Sequence, residues 1–333
     1  MGQCIIFTRS GRMADLTIIG AGVAGLCAAH AACKAGLTPR LIDRNGAPGP
    51  HGCSWWAGGM LAPFCEGAVA EPAIVSHGQH AAAFWGEVTQ VTHRGSLVVA
   101  LARDKGELDR FARRTTGHQR IADMAALEPE LGAHQSALFF EGEAHLDPRR
   151  ALSDLVAKLA TQGVEIERAE VRPEALYGPV IDARGMAADL PGLRGVRGEM
   201  VVLRAPEIQL SRPVRLLHPR HPLYIVPRAG GVFMLGATQL ESTERRGVSA
   251  RAVLELLSAA YALDPRFGEA ELLETGADLR PAFADNLPRV SVQGRVLHLN
   301  GLFRHGYLMA PALAAQAVDY LTQGIKGDLL HED

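Results

Sequence analysis

The run Leu16–Ile19, Gly20-Ala21-Gly22-Val23-Ala24-Gly25, an alanine-rich stretch to Gly36 and a second apolar run Arg40–Asp43 leave this chain little freedom in how it folds. The first four residues read as a buried strand and the alanine-rich stretch as a helix with Gly36 at its C-cap. The second strand ends on Asp43, 18 residues after Gly25. Each glycine has a separate physical duty. Gly20 permits the tight turn, Gly22 lets a pyrophosphate approach backbone N–H groups at the helix start, and Gly25 lets helix and strand pack closely. Asp43 stands where it can accept from a ribose hydroxyl. Strand, helix, second strand and acid in one register indicate dinucleotide binding.

That fingerprint does not separate NAD from FAD. Two later stretches bear on the choice. "PVIDARG" (Pro179–Gly185) is a strand ending in Asp-Ala-x-Gly, after a helix at Ala151–Gln162 and a strand at Val164–Arg168. "HGCSWWAGGMLAP" (His51–Pro63) places Ala57, Gly58 and Gly59 where backbone could press on a flat ring, with Ser54 able to donate to a phosphate or ribitol oxygen. Near the end, "GLFRHGYLMAPALAAQAVDYL" (Gly301–Leu321) is an amphipathic helix pattern whose start carries Arg304 and His305 between glycines. A cation there opposes the helix macrodipole at a cost of about 0.3–1 kcal/mol, which points to an anion nearby.

At 333 residues the chain can bury the core of two domains or one large one. Its 34 basic and 36 acidic residues form no basic stripe, which argues against nucleic acid and anionic membranes as partners. The five cysteines make no CxxC or metal spacing and read as reduced thiols of a cytoplasmic protein. "MGQCIIFTRSGR" lacks the layout of a signal peptide and, with Ile6, the myristoylation pattern. Residues 1–13 read as an extension or alternative start. No window approaches a membrane span.

The Gly20–Gly25 fingerprint, "SWWAGGMLAP", "VIDARG", "LYIVPR…VFMLGAT", "ADLRP" and "GLFRHGYLMAP" occur in the order seen in the FAD-dependent D-amino acid oxidase superfamily. From about Ala14 to Leu321 the chain resembles that family, and most nearly its glycine oxidase branch of thiamine biosynthesis. The resemblance implies an α/β fold (α+β overall): a Rossmann-like FAD-binding domain of the glutathione-reductase type and a second, antiparallel-sheet substrate domain. The first would take residues 14–85, 140–190 and 275–325, the second 86–139 and 191–274. The strand pattern agrees: Gly198–Pro206 alternates, "LYIVPR-AGG-VFMLGAT" reads as a hairpin, Ala250–Ala262 is helical, and "RVLHLNG" is a last strand feeding the closing helix.

By the same resemblance FAD is held without a covalent bond. Its contacts would come from Gly20, Gly22, Val23, Ala24, Gly25, Asp43, Arg44, Cys53, Ser54, Gly58, Gly59, Met60, Val171, Ala183 and Gly185. The second group is Gly301, Leu302, Phe303, Arg304, His305, Gly306, Tyr307 and Leu308, where the helix start would face the negative charge of reduced flavin. Trp55 and Trp56 would shield the ring. Arg280 would anchor the carboxylate of a small amino acid or amine substrate, Arg304 would add a second contact, Tyr224 would touch the same carboxylate, and Met60 would lie beside the flavin. The implied reaction moves hydride from the α-carbon to flavin N5, with O2 reoxidation giving peroxide and the imine hydrolysing or passing to a thiazole-synthesis partner. A homo-oligomer is expected.

Two departures from the family pattern bear on the pocket: Pro222 stands where a histidine is usual, with His221 one step back, and Gln239 follows Ala237-Thr238 where an apolar residue is common. No Ser/His/Asp constellation, zinc spacing or P-loop appears, and Asp147, Asp278 and Asp285 read as structural. Competing readings are a D-amino acid or sarcosine-type dehydrogenase feeding a membrane quinone, against which stands the lack of an amphipathic basic helix, and a flavin-stabilised binding protein without turnover.

Overall fold

The structure, a computed structural model, describes residues 14–132, 134, 136–218 and 222–332. The extension read over residues 1–13 and the departure at His221 lie outside the described residues.

The opening motif forms the centre of a seven-stranded sheet. Leu16–Ile19 pairs in parallel with Pro39–Asp43 on one side and Val180–Asp182 on the other. Ile166–Arg168 extends the sheet beyond Pro39–Asp43, and Val296–Asn300, Arg289–Gln293 and Leu330–Glu332 extend it past Val180–Asp182. Val296–Asn300 joins in parallel and feeds the closing helix Gly306–Gln323. It is not the last strand of the chain. Leu330–Glu332 follows the helix and adds itself to Arg289–Gln293, a pairing too short and polar to read from sequence.

The first helix, Val23–Lys34, is buried along most of its length, with Leu26, Cys27, Ala28, Ala29 and Ala32 fully covered. Alanine costs no side-chain entropy in a helix, and its small size lets this helix lie against Ala310, Ala314 and Ala317 of the closing helix. Trp85 fills the adjoining space and donates from Nε1 to the Tyr307 carbonyl at 2.8 Å. Pro148–Thr161, capped by Asp147, covers the same core, starting three residues earlier than the apolar period alone indicates.

The second sheet has nine strands. Arg194–Arg204 is its spine, pairing antiparallel with Val232–Gly236 and, along its whole length, with Glu271–Ala282. Leu223–Arg228 and Val232–Gly236 form the hairpin read from sequence. One pair, Val214–Leu217 with Ser96–Ala100, is parallel. Ala250–Leu263 covers a face of this sheet through Leu256, Ala260 and Leu263.

Gly25 holds the first βα turn together by what it lacks: a Cβ there would stand 1.8 Å from the Gly20 carbonyl oxygen. Gly25→Ala must therefore move helix or turn. A loss of at least about 2 kcal/mol is expected, since overpacking a rigid site costs ~1–3 kcal/mol, and it would be read from the denaturant midpoint at unchanged m-value. An unshifted midpoint would show that the turn is not close-packed.

Candidate active site

A cavity of about 740 Å³ runs from the glycine turn of the first sheet to the face of the second. One end is built around Asp43, whose carboxylate accepts from the Ala21 N–H at 2.8 Å and the Asn45 N–H at 2.7 Å. Each oxygen keeps further acceptor capacity, so the acid that fastens the turn can also meet a ribose hydroxyl. Gly20 adopts φ +101°, and a Cβ there would lie 2.5 Å from the Ala183 carbonyl. The first helix opens at Gly22 with no side-chain cap. Ser54 Oγ accepts from the Val23 N–H at 3.1 Å, which leaves its hydrogen as a donor.

The cavity's other wall is the turn before the closing helix. Gly301 and Phe303 have φ of +77° and +46°; left-handed backbone at a phenylalanine is strained and persists only where the surroundings enforce it. The Phe303 N–H donates to the Pro281 carbonyl at 2.8 Å, tying this turn to the strand that carries Arg280. Trp55 and Trp56 line the cavity, with the Arg149 guanidinium 4.8 and 5.2 Å from their ring centroids. Burial pushes the Cys53 thiol up to about 12, so it is protonated at neutral pH and a poor nucleophile.

Arg280 is half-buried in a recess of the second sheet. A Cβ on Gly198 would fall 2.1 Å from its guanidinium, and one on Gly236 2.5 Å from the Tyr224 hydroxyl. Two glycines thus make the room that these side chains occupy. Arg280 Nη1 donates to the Thr238 carbonyl at 3.3 Å, and no carboxylate of the protein pairs with the guanidinium among the described residues. Desolvation lowers its pKa, with Arg304 acting in the same direction.

Arg304 has an anion nearby, and it is a protein side chain. Glu66 Oε1 accepts from Arg304 Nη2 at 3.0 Å and from Arg215 Nη2 at 2.7 Å. His305 Nδ1 stands 3.7 Å from Glu66 Oε2. The two guanidiniums outweigh the burial of Glu66 and hold its carboxyl far below the usual range, and burial holds His305 down to about 4.

Arg280, Arg304, Tyr224 and Met60 all line this cavity, as do Gly20, Gly22, Val23, Ala24, Asp43, Arg44, Cys53, Ser54, Gly58, Gly59, Ala183, Gly185 and the run Leu302–Leu308. Pro222 and Gln239 line it too. Three expected residues do not. Gly25 packs beneath the turn, Gly301 lies against the Phe283 ring, and Val171 sits half-buried in the loop after Ile166–Arg168. Sequence reasoning missed Glu66 and Arg215. Asp278, read as structural, lines the cavity and lies 3.5 Å from Arg245. Glu66 carried a signal, being an acid set between Pro63-Phe64-Cys65 and Gly67.

His145, like His305, is held down to about 4 by burial. A histidine in the unfolded chain titrates near 6.5, so between these values the unfolded state binds more protons and stability falls as pH drops. The denaturation midpoint is expected to fall from about pH 7 to about pH 5, and His305→Asn should make that fall shallower. An identical slope in the variant would show that His305 is not held neutral.

Comparison with known proteins agrees with this geometry. The family described as FAD dependent oxidoreductase (DAO) matches residues 15–320. A Rhizobium etli protein provisionally named thiamine biosynthesis oxidoreductase ThiO is 50% identical over 309 residues, covering 90% of this chain and 94% of that one. Glycine oxidase of Geobacillus kaustophilus is 25% identical over 355 residues, 92% of each chain. A crystal structure of glycine oxidase from the same organism superposes with a TM-score of 0.78 at 23% identity, covering 95% of this chain and 96% of that one. The bifunctional protein ThiO/ThiG of Trichormus variabilis is 27% identical over 136 residues, 40% of this chain and 21% of that one. The chain belongs to the DAO family of FAD-dependent oxidoreductases, an enzyme of the glycine oxidase and ThiO type with FAD as its cofactor.

Proposed function

We propose that this enzyme oxidises the carbon–nitrogen bond of glycine or another small amino acid, and that the imine it forms serves thiazole synthesis. The observation that carries the substrate class is Arg280. A half-buried guanidinium with one carbonyl acceptor and no carboxylate partner among the described residues is costly. A substrate carboxylate supplies the missing anion in charge-assisted, fork-shaped contact. The Tyr224 hydroxyl, in the same glycine-lined recess, is the second donor to that carboxylate. With the acid end held, the amine-bearing carbon is fixed relative to the cofactor, which is catalysis by orientation.

FAD, when bound, supplies the two-electron acceptor for hydride from that carbon, and O2 then takes the electrons as peroxide. The glycine turn, Asp43 and Ser54 would hold its dinucleotide part, and the Leu302–Leu308 turn the ring, where the helix start favours negative charge. Protonated Cys53 supports non-covalent attachment. The thiamine assignment is supported by the name of the Rhizobium relative and by the ThiO/ThiG bifunctional protein.

Acid precipitation should release FAD from the polypeptide, and flavin remaining in the pellet would count against non-covalent binding. Arg280→Lys keeps the charge but loses the planar fork. It is expected to lower kcat/KM for glycine by about tenfold to a hundredfold, the worth of a charged hydrogen bond of ~1.5–3 kcal/mol, with flavin content unchanged. Near wild-type peroxide formation by the variant would remove Arg280 from the anchor role.

A further inference from the structure

We propose that Glu66 is a specificity residue that makes the cavity select substrates with one acid group and reject those with two. The inference rests on the substrate class proposed above.

Glu66 ends the short helix Pro63–Glu66 and lines the cavity. Its side chain is only 9% exposed, and one oxygen, Oε1, serves both Arg215 and Arg304. The other, Oε2, is buried with no hydrogen-bond partner among the described residues and faces His305 Nδ1 at 3.7 Å. The two arginines differ in access. Arg215 has 13% of its side chain exposed, whereas Arg304 has 30% and is coupled electrostatically to Arg280. A substrate whose first carboxylate sits on Arg280 would meet Arg304 with any second acid. Arg304 is already bound to Glu66, whose single negative charge, shared by both carboxylate oxygens, offsets part of the positive charge of Arg304 and Arg215 that a second acid would otherwise meet. Like charges in a site shielded from water repel strongly, so a second acid must compete with Glu66 for Arg304 and withstand its field. A neutral or apolar substituent meets neither obstacle. Rejection built from a like charge is a common way to gain selectivity.

The test uses the oxidised FAD holoenzyme and two carboxylates that it does not turn over, acetate and malonate, measured by calorimetry at fixed ionic strength. Glu66→Gln keeps the shape and removes the charge. It is expected to lower the ratio of malonate Kd to acetate Kd at least about tenfold. Glu66→Asp keeps the charge and should hold the ratio within about threefold of wild type. Arg304→Gln leaves Glu66 to Arg215 alone and should raise the ratio, so the proposal stays open to refutation even if Glu66→Gln fails to fold. A ratio in Glu66→Gln within about threefold of wild type, or one unmoved in Arg304→Gln, would overturn it. The readout needs no turnover, so failure of glycine oxidation and failure of this ratio to move are separate results.

Discussion

A half-buried arginine with no carboxylate beside it among the described residues needs an anion from elsewhere, and the second sheet is arranged around one. Arg280 lies opposite Val196 on paired strands, with Gly198 and Gly236 leaving out the side chains that would displace it and Tyr224. The contrast with its neighbours is what makes Arg280 informative. Arg215 and Arg304 line the same cavity, yet both are paired to Glu66. Of these three arginines, Arg280 is the one with no carboxylate beside it among the described residues, and a substrate carboxylate is the ligand we propose for it.

The two sheets share this site through one stretch of backbone. Glu271–Ala282 carries Arg280 in the second sheet, and Phe303, at the entry to the closing helix of the first, bonds back to Pro281. The left-handed φ at Phe303 is therefore accompanied by a contact to the strand that bears Arg280. Arg280 and the Leu302–Leu308 turn are thus tied by a backbone hydrogen bond, which suits the proposed reaction, where one C–H bond must be placed over one acceptor atom.

Much of this was legible in the chain itself because the constraints were local. The glycine turn, Asp43 and the strand–helix–strand period act within thirty residues, and the hairpin at Leu223–Gly236 announces itself by its Gly-containing turn. Arg304 stood out because its position defied the helix dipole; it was read as a contact to a substrate carboxylate, and the structure places the Glu66 carboxylate on it. That partner was not legible. Glu66 lies 238 residues away, and nothing in linear spacing brings a short helix after Pro63 to the start of the closing helix. Arg215 was missed for the same reason: its place beside Glu66 comes from strand pairing, not from neighbours in sequence. The parallel pairing of Val214–Leu217 with Ser96–Ala100 joins distant segments and left no periodic trace.

Whether the cavity grips a carboxylate decides the substrate class. The most direct test is anaerobic titration of the holoenzyme with glycine and, separately, with methylamine, which presents the same amine without the acid, following the flavin absorbance. Complete bleaching by glycine with methylamine inert over the same concentrations is the predicted result. Equal bleaching by both amines, or none by glycine, sarcosine or small D-amino acids, would contradict it.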